Sequence, residues 1–71
     1  MLVISQNGNR RFTTTSTKFI VWISTIVAIN ENDENYRIVG KFKTIRRANE
    51  ILSEIEKKHK TGTPMYHIPR E

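Results

Sequence analysis

Apolar and polar residues alternate at period two through most of positions 1–43 and recur at three and four thereafter, which predicts strands followed by one helix. Leu2-Val3-Ile4-Ser5 is a short β-branched run that stops at Gln6-Asn7-Gly8-Asn9. Asn-Gly is a strong hairpin signal, so residues 10–15 form the returning strand. Residues 18–23 make a further strand, Ser24-Thr25 is a turn or a polar break, and residues 26–29 continue the apolar pattern. The acidic stretch 31–35 reads as a loop. Over 36–43, Tyr36, Ile38 and Phe42 fall on one face and Arg37, Val39, Lys41 and Lys43 on the other, placing three cations on one surface.

From Ile45 the stripe Ile45, Ala48, Ile51, Leu52 and Ile55 is helical, with Arg46, Asn49, Glu50, Ser53, Glu54 and Lys57 opposite it. Thr44 is a natural N-cap, Lys57, Lys58 and Lys60 suit the helix end, and Gly62 followed by Pro64 stops it. Residues 65–68 add a last short strand.

The segment 19–29 raises a packing question. Phe19, Val21 and Ile23 lie on one side and Ile20 and Trp22 on the other, and both sets are apolar. A sheet with one wet face needs polar residues at alternate positions. One helix of about 15 residues covers a single face. The second face is buried either by a homo-oligomer that packs sheet on sheet around a twofold axis or by a strongly twisted small barrel.

Seventy-one residues make one domain, spanning 1–71, near the lower size limit for a self-sufficient core. There is no cysteine, so neither a disulfide nor a thiolate metal site reinforces it. The net charge of +5 and pI near 10 favour anionic partners. The longest apolar stretch, 19–29, is too short to span a bilayer and the chain start lacks a signal-peptide layout, so no membrane association is expected.

The most informative charges stand at the expected strand-to-helix junction, Gly40-Lys41-Phe42-Lys43-Thr44-Ile45-Arg46-Arg47-Ala48. A helix start carries about half a positive charge, so Arg46 and Arg47 there oppose the dipole. A bound anion reverses the sign of that effect. Lys41, Lys43, Thr44, Arg46 and Arg47, with Arg37 on the same strand, are therefore the candidate anion- or nucleotide-binding residues. Trp22 and Tyr36 are candidates for base stacking or for an interface. Catalytic chemistry finds little support: His59 and His67 are the only histidines, neither stands in a recognisable arrangement with Ser or Thr, and no carboxylate pair or metal-ligand spacing stands out.

The opening Met1-Leu2-Val3-Ile4-Ser5-Gln6, the block Gly40-Lys41-Phe42-Lys43-Thr44 leading into Arg47-Ala48-Asn49-Glu50-Ile51-Leu52-Ser53-Glu54-Ile55, and the ending Tyr66-His67-Ile68-Pro69-Arg70-Glu71 resemble small uncharacterised phage and prophage proteins of Gram-positive bacteria. That resemblance implies action inside the host cytoplasm by binding, for instance by blocking a defence nuclease or sequestering a nucleotide immune signal. Members of the group tend to carry two acidic residues after the Thr, where this chain has Ile45 and Arg46.

Together these observations lead to an α+β expectation: an antiparallel sheet of about five strands with one C-terminal helix packed on it, assembled as a homo-oligomer. The expected function is non-enzymatic counter-defence through capture of a phosphate-bearing small molecule, near the helix start or between subunits, with no cofactor and no metal. The alternative is an interaction protein that blocks a host nuclease or other defence protein, or that binds nucleic acid itself.

Overall fold

A computed structural model describes residues 1–30 and 33–71, with Asp33 and Glu34 described in backbone only. Its elements are β1 (Leu2–Ile4), β2 (Arg11–Thr13), β3 (Thr17–Trp22), β4 (Thr25–Asn30), β5 (Asp33–Lys41), α1 (Ile45–Lys60) and β6 (Met65–His67). The α+β class matches expectation, but the strands divide into two three-stranded sheets and not one of about five. The first has the order β2-β1-β6, antiparallel between β1 and β2 and parallel between β1 and β6. The second, β3-β4-β5, is antiparallel throughout. β1 is the centre of the first sheet, its two edges taken by β2 and β6.

Several boundaries shift for identifiable reasons. The first hairpin does not close on a two-residue Asn-Gly turn. Ser5 N–H instead donates to Arg10 O at 2.9 Å, its hydroxyl accepts from Arg10 N–H at 3.0 Å, and Gly8 takes a φ of 79° inside the wider loop. Of the stretch read as an acidic loop, positions 31 and 32 lie outside the described residues, while Asp33 already belongs to β5. Ile23-Ser24 is the two-residue turn between Trp22 and its partner Thr25, so Ile23 leaves the Phe19–Val21 face. Ile23 has a φ of 56°, an outlier for a β-branched residue.

The decisive departure is a bulge in β5. Ile26 pairs with Gly40 and Val27 with Ile38, so Val39 is the extra residue. Beyond it the alternation inverts. Lys41, opposite Thr25, joins the face of Tyr36 and Ile38, and Phe42 turns into the core. The three cations expected on one surface are thereby separated.

The core gathers Val3, Tyr66 and Ile68 from the first sheet side, Ile26, Ala28 and Val39 from the second, Phe42, and Ala48, Ile51 and Ile55 from α1. Phe19, Val21 and Leu52 pack against it half-buried. Ile45, expected in the helical stripe, is exposed, because the first residue of α1 projects past the sheet that its later turns cover. Thr44 caps the helix as expected, its side chain accepting from Arg47 N–H at 3.0 Å. At the other end Thr61 and Gly62, the latter at φ 76°, return N–H donors to Lys57 O and His59 O.

One side-chain amide joins the sheets. Gln6 Nε2 donates to Lys41 O and to Pro69 O, both at 2.9 Å, and Gln6 Oε1 accepts from Lys41 N–H at 2.9 Å. Its backbone N–H reaches Val39 O at 2.8 Å. Gly40 lies next to this seam and makes room for Ile68 and Phe42, since a Cβ there meets Ile68 Cγ2 at 2.9 Å and the Phe42 ring at 3.2 Å. Gly40→Ala is expected to lower stability by about 1–3 kcal/mol, the usual range for overpacking, as read by urea unfolding.

Tyr66 is buried, and its hydroxyl lies near the Glu54 carboxylate without a well-formed hydrogen bond to any described residue. Burial, with the Glu54 charge adding to it, pushes this phenol up to about 12. The folded state therefore keeps a proton that the unfolded state loses near its ordinary value of about 10. Stability from this group is complete below that pH and is lost as pH rises toward 12. Tyr66→Phe is expected to flatten the alkaline fall in unfolding free energy between these values, in a comparison of urea midpoints for the two chains.

Candidate functional site

The candidate residues separate into two groups on different elements. At the helix start, Thr44 uses its hydroxyl as the cap, and the first turn of α1 contains no acidic residue. The charge that the turn lacks is supplied from elsewhere in the chain. Arg47 Nε donates to Glu71 Oε1 at 2.8 Å, and its Nη1 lies 3.5 Å from Glu50 Oε2. Arg46 Nε lies 3.7 Å from Glu50 Oε1, with the side chain otherwise in solvent. The Glu71 carboxylate holds the Arg47 guanidinium above its ordinary pKa, Glu50 adding to it. An anion thus already occupies the reach of Arg47. Sequence reading placed the arginines at the helix start but found no sign of Glu71, which arrives because β6 runs parallel to β1 and Ile68 N–H bonds Ile4 O at 3.0 Å.

The second group lies along β5. Arg37, Lys41 and Tyr36 line an open groove of about 480 Å³ together with Gln6, Asn7 and Arg10 from the first hairpin. Arg10 and Arg37 also line an adjoining recess of about 360 Å³, which adds Arg11, Asn30 and Asn35. No salt bridge joins Arg10 or Arg11 to an acidic side chain among the described residues. The groove combines planar guanidinium donors, a lysine ammonium and a tyrosine ring, a chemistry suited to phosphate oxygens beside an aromatic face, while its Gln6 amide is committed to Lys41 and Pro69. The sequence offers Arg10 and Arg11, with Arg37 and Lys41, as a surface for a nucleic-acid strand and not as part of the anion set at the helix start; the fold of the first hairpin puts Arg10 on the same groove as Arg37 and Lys41.

Lys43 belongs to neither group. It sits exposed between buried Phe42 and the cap Thr44. Trp22 and Tyr36 share the outer face of the second sheet, where a trough is lined by Ile20, Trp22, Thr25, Val27, Tyr36, Ile38 and Lys41. The helix start contributes nothing to its walls.

One contact was invisible in the sequence. His59 Nδ1 lies 2.9 Å from Thr14 Oγ1, across 45 positions. The same hydroxyl accepts from the Met1 amino group at 3.1 Å and lies 3.3 Å from Met1 O. These bonds tie α1 to the hairpin and commit the hydroxyl structurally. Among the described residues no group of three His, Cys, Asp or Glu side chains is placed to hold a metal ion, and no helix is long and apolar enough to cross a membrane.

Glu71→Gln is expected to leave the melting temperature nearly unchanged, because the Arg47–Glu71 pair is solvent-exposed. It also releases Arg47 for external anions, which inorganic phosphate titrated against the Arg47 amide resonance detects as a larger shift in the variant. Comparison of the chain with protein-family models, with curated proteins and with solved structures finds no match.

Proposed function

We propose that this chain is a non-enzymatic binding protein whose basic groove beside β5 captures a phosphate-bearing small molecule. The observation that carries this reading is the open groove along the β5 edge, lined by Arg10, Arg37, Lys41 and Tyr36. Its volume of about 480 Å³ falls in the range that accepts nucleotide-sized ligands. The resemblance to phage and prophage proteins supports a role in the host cytoplasm, where the captured molecule is a nucleotide immune signal and its removal disarms a defence. In this reading the arginines of the helix start are secondary, since Arg47 is paired with Glu71.

A second reading is favoured by the continuity of the groove with the recess that adds Arg11, which lengthens the basic track through Arg10 and Arg37. Such a track suits a nucleic-acid strand or an acidic surface of a host nuclease.

Calorimetric titration with cyclic dinucleotides, ADP-ribose derivatives and short oligonucleotides separates the two. The groove reading expects a nucleotide from this panel to bind, Arg10→Glu to weaken it by about tenfold or more through loss of a charge-assisted contact, and Arg46→Glu to leave it unchanged. Binding of oligonucleotides alone, with affinity falling steeply as salt rises, supports the second reading. Silence across the whole panel sinks the small-molecule reading.

A further inference from the structure

We propose that the outer face of the β3-β4-β5 sheet is a homodimer interface in which two copies stack with their strands aligned around a twofold axis lying in the plane of the contact. This inference does not rest on the ligand reading; it assigns the outward Lys41 ammonium and Tyr36 ring to the contact between copies and leaves Arg10 and Arg37 to the groove.

Strand register makes the face a small grid. Its middle row is Ile20, Val27 and Ile38, each paired across the sheet. Lys18 and Tyr36 stand at the two corners of one end, both opposite Ile29, and Trp22 and Lys41 at the two corners of the other, both opposite Thr25. The bulge at Val39 is what brings Lys41 to this face. Like groups therefore occupy opposite corners: aromatics on one diagonal, lysines on the other.

That arrangement is self-complementary. Rotate a copy by a half-turn about an in-plane axis running along the strands, and Lys18 meets Tyr36 of the other copy while Lys41 meets Trp22. An axis across the strands pairs Lys18 with Trp22 and Lys41 with Tyr36. In both cases the apolar rows coincide and every ammonium faces a ring, a favourable cation–π pairing. An axis along either diagonal sets lysine against lysine. Aligned stacking is thus favoured over an orthogonal crossing, and aligned stacking is one of the two standard ways sheets pack.

The exposed area fits. Trp22 is 67% exposed, Tyr36 66%, Ile38 53%, and Ile23, at the strained turn beside Trp22, 63%. Two thirds of two such aromatic side chains is on the order of 200–300 Å². With Ile20, Ile38 and the lysine stems added around a Val27 that the face already covers, the exposed area approaches the roughly 600 Å² per partner at which standard interfaces begin. Asn or Gly at position 23 would hold the turn without strain, yet the chain keeps an isoleucine in solvent there.

The full chain should sediment as a dimer at micromolar concentration, at twice its 8.3 kDa mass. Trp22 is the sole tryptophan, so its emission should shift to the blue as concentration rises through the dimer range. Ile38→Glu and, separately, Trp22→Ala should each give a monomer with unchanged circular dichroism. Lys18→Glu reads the orientation: aligned stacking sets a carboxylate against a ring and weakens the dimer by about tenfold. A diagonal axis that sets Lys18 against Lys41 would instead strengthen it. A monomer at 100-fold higher concentration, a dimer indifferent to both Ile38→Glu and Trp22→Ala, or a dimer strengthened by Lys18→Glu overturns the proposal.

Discussion

The side chain of Gln6 bonds both the N–H and the C=O of Lys41 while also holding Pro69 O, and much of the arrangement depends on that seam. β5 is an edge strand, and its outward backbone groups require partners. Gln6, in the loop after β1, provides them at Val39 and Lys41. In doing so it fixes where the first hairpin lies against β5, which puts Arg10 beside Arg37 and Lys41. It also anchors the segment after β6, from which Glu71 reaches Arg47. Beside this seam, position 40 is crowded by the Ile68 and Phe42 side chains, which a Cβ there would have to displace.

With Gln6 bonded to the end of β5 and α1 packed against the inner face of the second sheet, the outer face carries the exposed Trp22, Tyr36 and Ile38. The bulge at Val39 decides its chemistry. Without the extra residue, Lys41 would point with Arg37 toward the inner side, and the outer face would carry Phe42 instead. With it, Phe42 fills the core and the outer face acquires an ammonium at one corner. One irregularity in pairing thus improves the packing of the interior and sets the charge pattern of the surface.

The same geometry disperses the positive charge into separate functions. Arg47 is an internal ion-pair partner, Arg10 and Arg37 wall a groove, and Lys41 borders both the groove and the apolar trough. Net charge announces attraction to anions, but it is the folding of the first hairpin against β5 that concentrates cations in one concavity.

Local patterns in the sequence determined the α+β class, the helix from Ile45, its Thr44 cap, its Gly62 stop and the apolar character of both faces of β3, because each depends on residues a few positions apart. The anomaly of Arg46 and Arg47 at a helix start was legible for the same reason. Tertiary structure alone decided what answers it. The Glu71 carboxylate lies 24 positions away in the chain, and its approach depends on a parallel pairing that no local period encodes. The division into two sheets, the inversion of Lys41 at the bulge and the meeting of Arg10 with Arg37 are likewise products of long-range register. A one-residue slip in pairing exchanges the two faces of a strand, and hydrophobic alternation is blind to such a slip when both faces are apolar.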